Sequence, residues 1–285
     1  MTGVRSQLRS LIGGKKILLA PGAFDGLGAK LIERAGFSLV YATGGGIARS
    51  MGLPDLGLLS FTEVLQRIKE VVHATSLPVI ADADTGYGSA LNVIRTVREF
   101  EDAGVAGLHI EDQIFPKRCG HYEGHSLIST QEMAGKIEAA VHARQDPETV
   151  IIARTDARSA FDLDEAISRA RVFVESGADV IFIEAPRSLA ELETIGRQIR
   201  VPLVFNLTEG GKSPIVSISK LQELGFKIVL LPSDLQRAFI GAARRVLAAR
   251  LKGEVGPLEG MSSFKERDEI VDLDSYLDME KRYVR

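Results

Sequence analysis

The stretch PVIADAD at positions 78–84 opens on four uncharged residues and closes on Asp82 and Asp84. A short continuous apolar run of this kind fits a strand buried on both faces, because a strand with one wet face would alternate. Seven further runs share the format: ILLAPG (17–22), LVYATG (39–44), GLHIED (107–112), VIIARTDA (150–157), VIFIEA (180–185), PLVFNL (202–207) and KIVLLP (227–232). Each is followed by a segment of helical periodicity. Ser60 with Glu63 and Ser129 with Glu132 have capping-box spacing, and Gly36, Gly104, Gly177 and Gly225 fall where helices should stop. Eight strand–helix repeats, roughly 30 residues apart, predict an α/β fold: a single (β/α)8 barrel of the TIM type over residues 1–252. Residues 253–285 are charged and thin in apolar positions, which predicts a helical tail, either solvated or packed on a neighbouring subunit or over the barrel mouth.

The chain is 45% hydrophobic and 26% charged with a net charge of -3, so it lacks the basic excess that binding to a phosphate backbone requires. It has no run of about 18 apolar residues, and arginines interrupt MTGVRSQLRSLIGG where a signal peptide would need an apolar core. The expectation is a cytoplasmic protein with neither nucleic acid nor membrane as partner. A single cysteine excludes an intrachain disulfide, and one thiol with scattered histidines is not a structural zinc set.

Polar residues crowd the strand ends. Asp82 and Asp84 end the third run, His109, Glu111 and Asp112 the fourth, Arg154 and Asp156 the fifth, Glu184 the sixth, and Asn206 and Thr208 lie at the seventh. In a (β/α)8 barrel these ends converge on one mouth, where carboxylates repel one another unless a cation sits among them. Oxygen donors favour Mg²⁺ or Mn²⁺, with Asp84 the expected direct ligand and Asp82 and Glu111 reaching the metal directly or through water. The bland alternative is a structural network in which the acids cap helices or pair with Arg154, His109 and Lys117. Gly44-Gly45-Gly46 after the second run is either a plain turn or a cradle for a substrate carboxylate or phosphate. EGGKS (209–213) lacks the first glycine of a P-loop, where Asn206 stands, so nucleotide binding is not expected. Tyr41 ends the second run and faces either the core or the site. His73 and His142 fall within helical segments and read as packing or surface residues.

Cys119 sits in KRCGH (117–121), between Lys117, Arg118 and His121, on a connection of about 17 residues from Gln113 to Ser129. Cationic neighbours stabilise a thiolate. The thiol could serve as a nucleophile, given a base and an acyl substrate, or as a general acid delivering a proton to a carbanion beside a metal. A loop of this length can close over a barrel mouth.

ADADTGYG (81–88), GLHIEDQIFPKRCGH (107–121) and IIARTDAR (151–158) strongly resemble the isocitrate lyase and phosphoenolpyruvate mutase superfamily. YATGGG (41–46), LPDLG (53–57), IFIEA (181–185) and NLTEGGKSP (206–214) extend the resemblance over nearly the whole barrel, and KRCGH marks the lyase branch. The resemblance implies Mg²⁺-dependent cleavage of a carbon–carbon bond in a 2-hydroxy di- or tricarboxylate, giving an α-keto acid and a carboxylate enolate that Cys119 protonates. It implies that Thr43, Gly44 and Gly45 bind the keto-acid carboxylate, that Asp82, Asp84 and Glu111 serve the metal, and that Arg154 and Glu184 orient substrate. Asn206, Thr208 and Arg237 line the far side, Gly120 comes from the loop, and Asp55 and His109 join the substrate contacts. Tyr41, His121, Lys117 and Glu111 accompany Cys119 in the catalytic group, with the base unassigned. Within the superfamily the resemblance is to the 2,3-dimethylmalate and 2-methylisocitrate lyase branches. The stretch GMSSFKER places Phe264 where the latter carry a carboxylate-holding arginine, which favours an alkyl-substituted malate because an unpaired buried carboxylate is costly. Oxaloacetate-processing and phosphonate-forming relatives use the same metal site with a different loop, and Cys119 argues against both. A homotetramer with exchanged C-terminal helices is also implied.

Overall fold

The computed structural model describes residues 3–120, 122 and 124–284. Among these, eight parallel strands close a barrel in sequence order: β1 Leu18–Ala23, β2 Val40–Ala42, β3 Val79–Asp82, β4 Gly107–Glu111, β5 Val150–Thr155, β6 Val180–Ile183, β7 Leu203–Asn206 and β8 Phe226–Leu231. Helix α1, Val4–Gly13, precedes them; α2 Gly26–Arg34, α3 Gly44–Ser50, α4 Phe61–His73, α5 Ala90–Asp102 and α6 Thr130–Ala143 follow in order. Then come α7 Ala157–Ala160, α8 Leu163–Glu175, α9 Leu189–Gln198, α10 Ile218–Glu223, α11 Asp234–Leu251, α12 Phe264–Ile270 and α13 Leu273–Tyr283. Each strand coincides with one of the eight apolar runs, β1 extending one residue past its run to Ala23 and β8 starting one residue before its run at Phe226. Ser60 and Glu63 form the full capping box, while Ser129 accepts from the Glu132 amide. Gly36, Gly104, Gly177 and Gly225 take φ of 85°, 91°, 98° and 88°, the left-handed turn that ends a helix and that side chains resist. No helix among the described residues is long and apolar enough to cross a membrane.

Both strand faces are buried, and the strand's two-residue period sorts side chains into two cores. Leu18, Ala20, Ile80, Val150, Ile152, Val180, Phe182, Val204, Ile228 and Leu230 fill the barrel, whereas Leu108, Ile110, Ile151, Ala153 and Phe205 face the helices with Phe100 and Phe173. Burying an aromatic such as Phe100 contributes about 3 kcal/mol of transfer free energy. Helix α1 closes the barrel floor: Leu8 is fully buried against the inner core, and Arg9 reaches Asp179 at 2.9 Å and the Thr149 carbonyl at 3.1 Å. Helices α9 and α10 pack so closely that a Cβ on Gly196 would overlap the Leu224 carbonyl oxygen. Because backbone cannot yield as a side chain does, Gly196→Ala should destabilise the fold by about 2 to 3 kcal/mol, read as a lower urea midpoint at unchanged m-value.

The C-terminal elements behave differently. Gln236 is the one buried residue of α11, and α12 and α13 have none. The turn between them rests on α2 through ion pairs from Lys30 and Arg34 to Asp272, at 3.1 and 2.7 Å, which are exposed and hold little energy. Phe264 is 76% exposed and packs on Arg267, away from the barrel mouth of its own chain.

Candidate active site

Strand parity builds the site. Continuing upward from the inward residues Ile80, Ile152, Phe182 and Val204, the next inward positions are Asp82, Arg154, Glu184 and Asn206; above Tyr41 it is Thr43. On β4, Leu108 and Ile110 point outward, which leaves His109 and Glu111 inward. Register then sets Asp82 beside His109 and Glu111 beside Arg154. The inner face is thus apolar at the floor and ionic at the C-terminal rim.

Arg154 is the hub of that rim. It grips Asp156 through two bonds of 3.0 and 2.9 Å, meets Glu111 at 3.1 Å and Glu184 at 3.6 Å, and lies over the Phe182 ring. Lys117 is buried between Asp55 at 2.6 Å and Asp84 at 2.7 Å. Burial works against its charge, but Asp84, Asp55, Glu111 and Asp82 outweigh it and hold the proton well above the ordinary lysine pKa. Asp82 accepts from the Gly44 amide at 3.3 Å and from the Tyr41 hydroxyl at 3.2 Å, and that hydroxyl lies 2.9 Å from His109 Nε2. Burial lowers His109 to about 4, so its ring is neutral, and burial with Asp82 raises the Tyr41 phenol, so it keeps its proton.

Seven carboxylates, Asp55, Asp82, Asp84, Glu111, Asp112, Asp156 and Glu184, face three cations, Lys117, Arg154 and Arg169. Burial pushes Asp84 and Asp112 up to about 6 and raises Glu111 well above the ordinary carboxylate value, despite the nearby cations. Glu111 Oε1 and His109 Nδ1 are buried without a hydrogen-bond partner. Ligand atoms of Asp82, His109 and Glu111 lie within 4.8 Å of one another. Two carboxylates and an imbalance of negative charge fit a hard divalent cation.

The loop from β4 to α6 descends onto this rim. It is closed on itself by the Ile114 amide on the Ser126 carbonyl at 2.8 Å, and Gln113 bonds both the amide and the carbonyl of Arg118 at 2.9 and 2.8 Å. The Cys119 amide meets the Asp55 carbonyl at 3.3 Å, and the Cys119 carbonyl meets His125 Nε2 at 3.0 Å. Gly120 lands so near Arg154 and Glu184 that a Cβ there would stand 2.6 Å from each. Loop and rim enclose a cavity of about 370 Å³. Cys119 and Gly120 share its wall with Asp82, Arg154 and Glu184.

Residues 8–251 match the family described as phosphoenolpyruvate phosphomutase. The chain belongs to the phosphoenolpyruvate mutase and isocitrate lyase superfamily. It is 42% identical to a 2,3-dimethylmalate lyase of Eubacterium barkeri over 285 residues, 98% of this chain and 97% of the relative. It is 44% identical to a 2-methylisocitrate lyase of Aeropyrum pernix over 276 residues, 96% of this chain and 88% of the relative. A solved phosphonopyruvate hydrolase in complex with oxalate and Mg²⁺ covers 100% of both chains with a TM-score of 0.90 at 31% identity. Within the superfamily this chain is a carbon–carbon lyase.

Seen as a member of that superfamily, the chain brings most of the expected residues together. Tyr41, Thr43, Gly45, Asp55, Lys117, Asn206, Thr208 and Arg237 line the cavity with the five already named. Gly44, His109 and Glu111 stand behind its wall, against Asp82, Tyr41 and Arg154 respectively. Asp84, expected as the direct metal ligand, lies outside the Asp82, His109 and Glu111 cluster; it sits past the strand end at φ 46°, where parity no longer aims the side chain, and its carboxylate goes to Lys117. His121 lies outside the described residues. Gly44-Gly45-Gly46 is not a plain turn: it is the first turn of α3, capped by Thr43, with Thr43 and Gly45 in the cavity wall. Lys117, expected to tune the thiol, is spent on Asp55 and Asp84. Phe264 does not line the cavity, because α12 stays against α2. Sequence reasoning overlooked Arg49, Tyr122 and Gln236 in the cavity wall. Arg49 was legible in principle, four residues along the helix from Gly45, had the glycine run been read as helical.

Proposed function

We propose that the chain cleaves a 2-hydroxy dicarboxylate, an alkyl-substituted malate such as 2,3-dimethylmalate, into pyruvate and a second carboxylate. The observation that carries this reading is the loop placing Cys119 and Gly120 in one cavity with Asp82, Arg154 and Glu184. Asp82, Glu111 and His109 would hold a divalent cation, for which we propose Mg²⁺, or Mn²⁺. When bound, that ion supplies Lewis acidity to the hydroxyl and carbonyl oxygens of the substrate's keto-acid end.

The chain's own groups do the rest. Thr43, the backbone at Gly45 and Arg154 receive the keto-acid carboxylate. Tyr41 retains its proton and orients Asp82 and the substrate hydroxyl by hydrogen bonding. When the hydroxyl gives its proton to a rim carboxylate, its carbon becomes the keto carbonyl, the carbon–carbon bond breaks and the electron pair of that bond passes to the carbon bearing the second carboxylate. Cys119 Sγ gives its proton to that carbon, leaving a thiolate and a neutral C–H bond, with no net redox change. Gly120 and the closed loop exclude water, which would otherwise protonate the enolate without control.

The E. barkeri relative supports the dimethylmalate assignment through its near-complete coverage, and the A. pernix relative supports 2-methylisocitrate as the second reading. The exposed α11 to α13 support association through the C-terminal segment, for which we propose a cytoplasmic homotetramer with exchanged segments that carry Phe264 to a neighbour's mouth. Pyruvate and glyoxylate release, coupled to lactate dehydrogenase, separates the readings across 2,3-dimethylmalate, other alkylmalates, 2-methylisocitrate and isocitrate. The expected result is fastest turnover of dimethylmalate, abolished by EDTA and restored by Mg²⁺. Preference for a tricarboxylate overturns the dimethylmalate assignment, and turnover indifferent to EDTA overturns the metal.

A further inference from the structure

Of the four cations that line the cavity, three are engaged with carboxylates: Lys117 with Asp55 and Asp84, Arg154 with Asp156, Glu111 and Glu184, and Arg237 with Glu209 at 3.7 Å. Arg49 has no ion partner within 4.0 Å among the described residues. Its Nη1 donates to the Gly45 carbonyl, one helical turn back, at 2.9 Å. Its remaining neighbours are Tyr122, Asp55 and Cys119. Two positions triangulate the guanidinium against the thiol. A Cβ on Gly45 would lie 2.9 Å from both Arg49 Nη1 and Asp55 Oδ2, and the Asp55 carbonyl holds the Cys119 amide at 3.3 Å. Arg49 therefore stands on the Cys119 side of the cavity.

The chemistry of the reaction says what meets it there. Cys119 protonates the carbon next to the second carboxylate, so that carboxylate is one bond from the atom facing the thiol. As the carbon–carbon bond breaks, negative charge spreads onto its oxygens, and a fixed cation there gains more in the transition state than in the ground state. A guanidinium suits a planar carboxylate because it can offer two parallel N–H donors.

Resting on the lyase reading above, we propose that Arg49 is a substrate-binding residue that takes the carboxylate of the departing fragment and restricts the enzyme to hydroxy acids bearing a carboxylate on the carbon Cys119 protonates. Tyr122, from the loop, steers the guanidinium toward that carboxylate, and the Gly45 carbonyl anchors its other side.

The test compares the wild-type enzyme with Arg49→Gln and Arg49→Lys, in the full chain with Mg²⁺, using 2,3-dimethylmalate, or 2-methylisocitrate where the wild type prefers it. Oxalate inhibition is measured in parallel, since oxalate mimics the keto-acid end and has no departing fragment. The expected result for Arg49→Gln is a loss of about 100-fold in kcat/KM, with the oxalate inhibition constant within about twofold of wild type and partial recovery in Arg49→Lys. Arg49 is exposed and its bonds are local, so both variants fold. Unchanged kcat/KM in Arg49→Gln overturns the inference, as does an equal loss of oxalate binding, which would make Arg49 a support for the deep site. A wild type that cleaves no hydroxy diacid overturns the lyase reading itself, and this inference with it.

Discussion

Cys119→Ser lowers turnover of the hydroxy diacid by about 100- to 10,000-fold, the range a positioned general acid contributes, and leaves oxalate inhibition close to the wild-type value. A serine hydroxyl is nearly isosteric with the thiol but far less acidic, so the enolate waits for a proton it cannot obtain at the same rate. Backbone contacts hold the loop in place: backbone atoms of Cys119 meet Asp55 and His125, and Gly120 seats between Arg154 and Glu184. The variant should therefore bind substrate with a KM near that of the wild type. Full turnover in Cys119→Ser would remove the thiol from the chemistry, and a matching loss of oxalate binding would make it a structural residue.

Arg154→Met removes the cation that Asp156, Glu111 and Glu184 share, and the expected loss is about 3 to 5 kcal/mol of stability, as for a broken buried ion pair, with turnover down about 1,000-fold. The pH dependence distinguishes charge from packing. Against the cost of burial, His109, Lys117 and Arg154 hold Asp82 well below the usual carboxylate range, so losing Arg154 raises the folded-state pKa of Asp82 toward its unfolded value. The stability this shift contributes is absent at low pH, where Asp82 is protonated in both states, and fully present above the unfolded pKa. The stability gap between variant and wild type should thus widen as pH rises toward the ordinary carboxylate pKa and level off above it, measured by urea unfolding at each pH. A constant gap would assign the loss to the cavity left over Phe182 instead. Arg154→Lys keeps the charge but not the double grip on Asp156, and should fall between the two.

The barrel was legible because two-sided burial is a strong constraint: PVIADAD and its seven counterparts had to be apolar wherever a strand faced both cores. The same strands made much of the rim legible, since a two-residue period that begins at Ile80, Ile152, Phe182 and Val204 carries straight to Asp82, Arg154, Glu184 and Asn206. Legibility ends where that period ends. Asp84 lies beyond β3 in a left-handed turn, so nothing in the pattern told its direction from that of Asp82. Asp112 has the opposite parity from Glu111 and turns outward, where Arg169 of α8 meets it at 3.0 Å and it holds Thr155 and the Asp156 amide beneath Arg154. That support depends on a helix more than fifty residues away, which no local spacing announces. Arg49 was hidden because three glycines read as a turn, and Phe264 because residues with few partners in their own chain leave no periodic trace of where they dock.

Helix α1 sets an order on the making of this protein. Arg5 and Arg9 find their partners between 96 and 170 residues further along, in the connections that join the middle strands below the barrel. On a ribosome the helix emerges before any of these partners, and its full set is in place only once Asp179 has been synthesised. Its apolar face, with Leu8 at the centre, lacks its complete seat until then, and its docking comes as one of the later events of folding. The floor of the barrel is a lid fitted from below, so the ring of strands can assemble before the plug arrives.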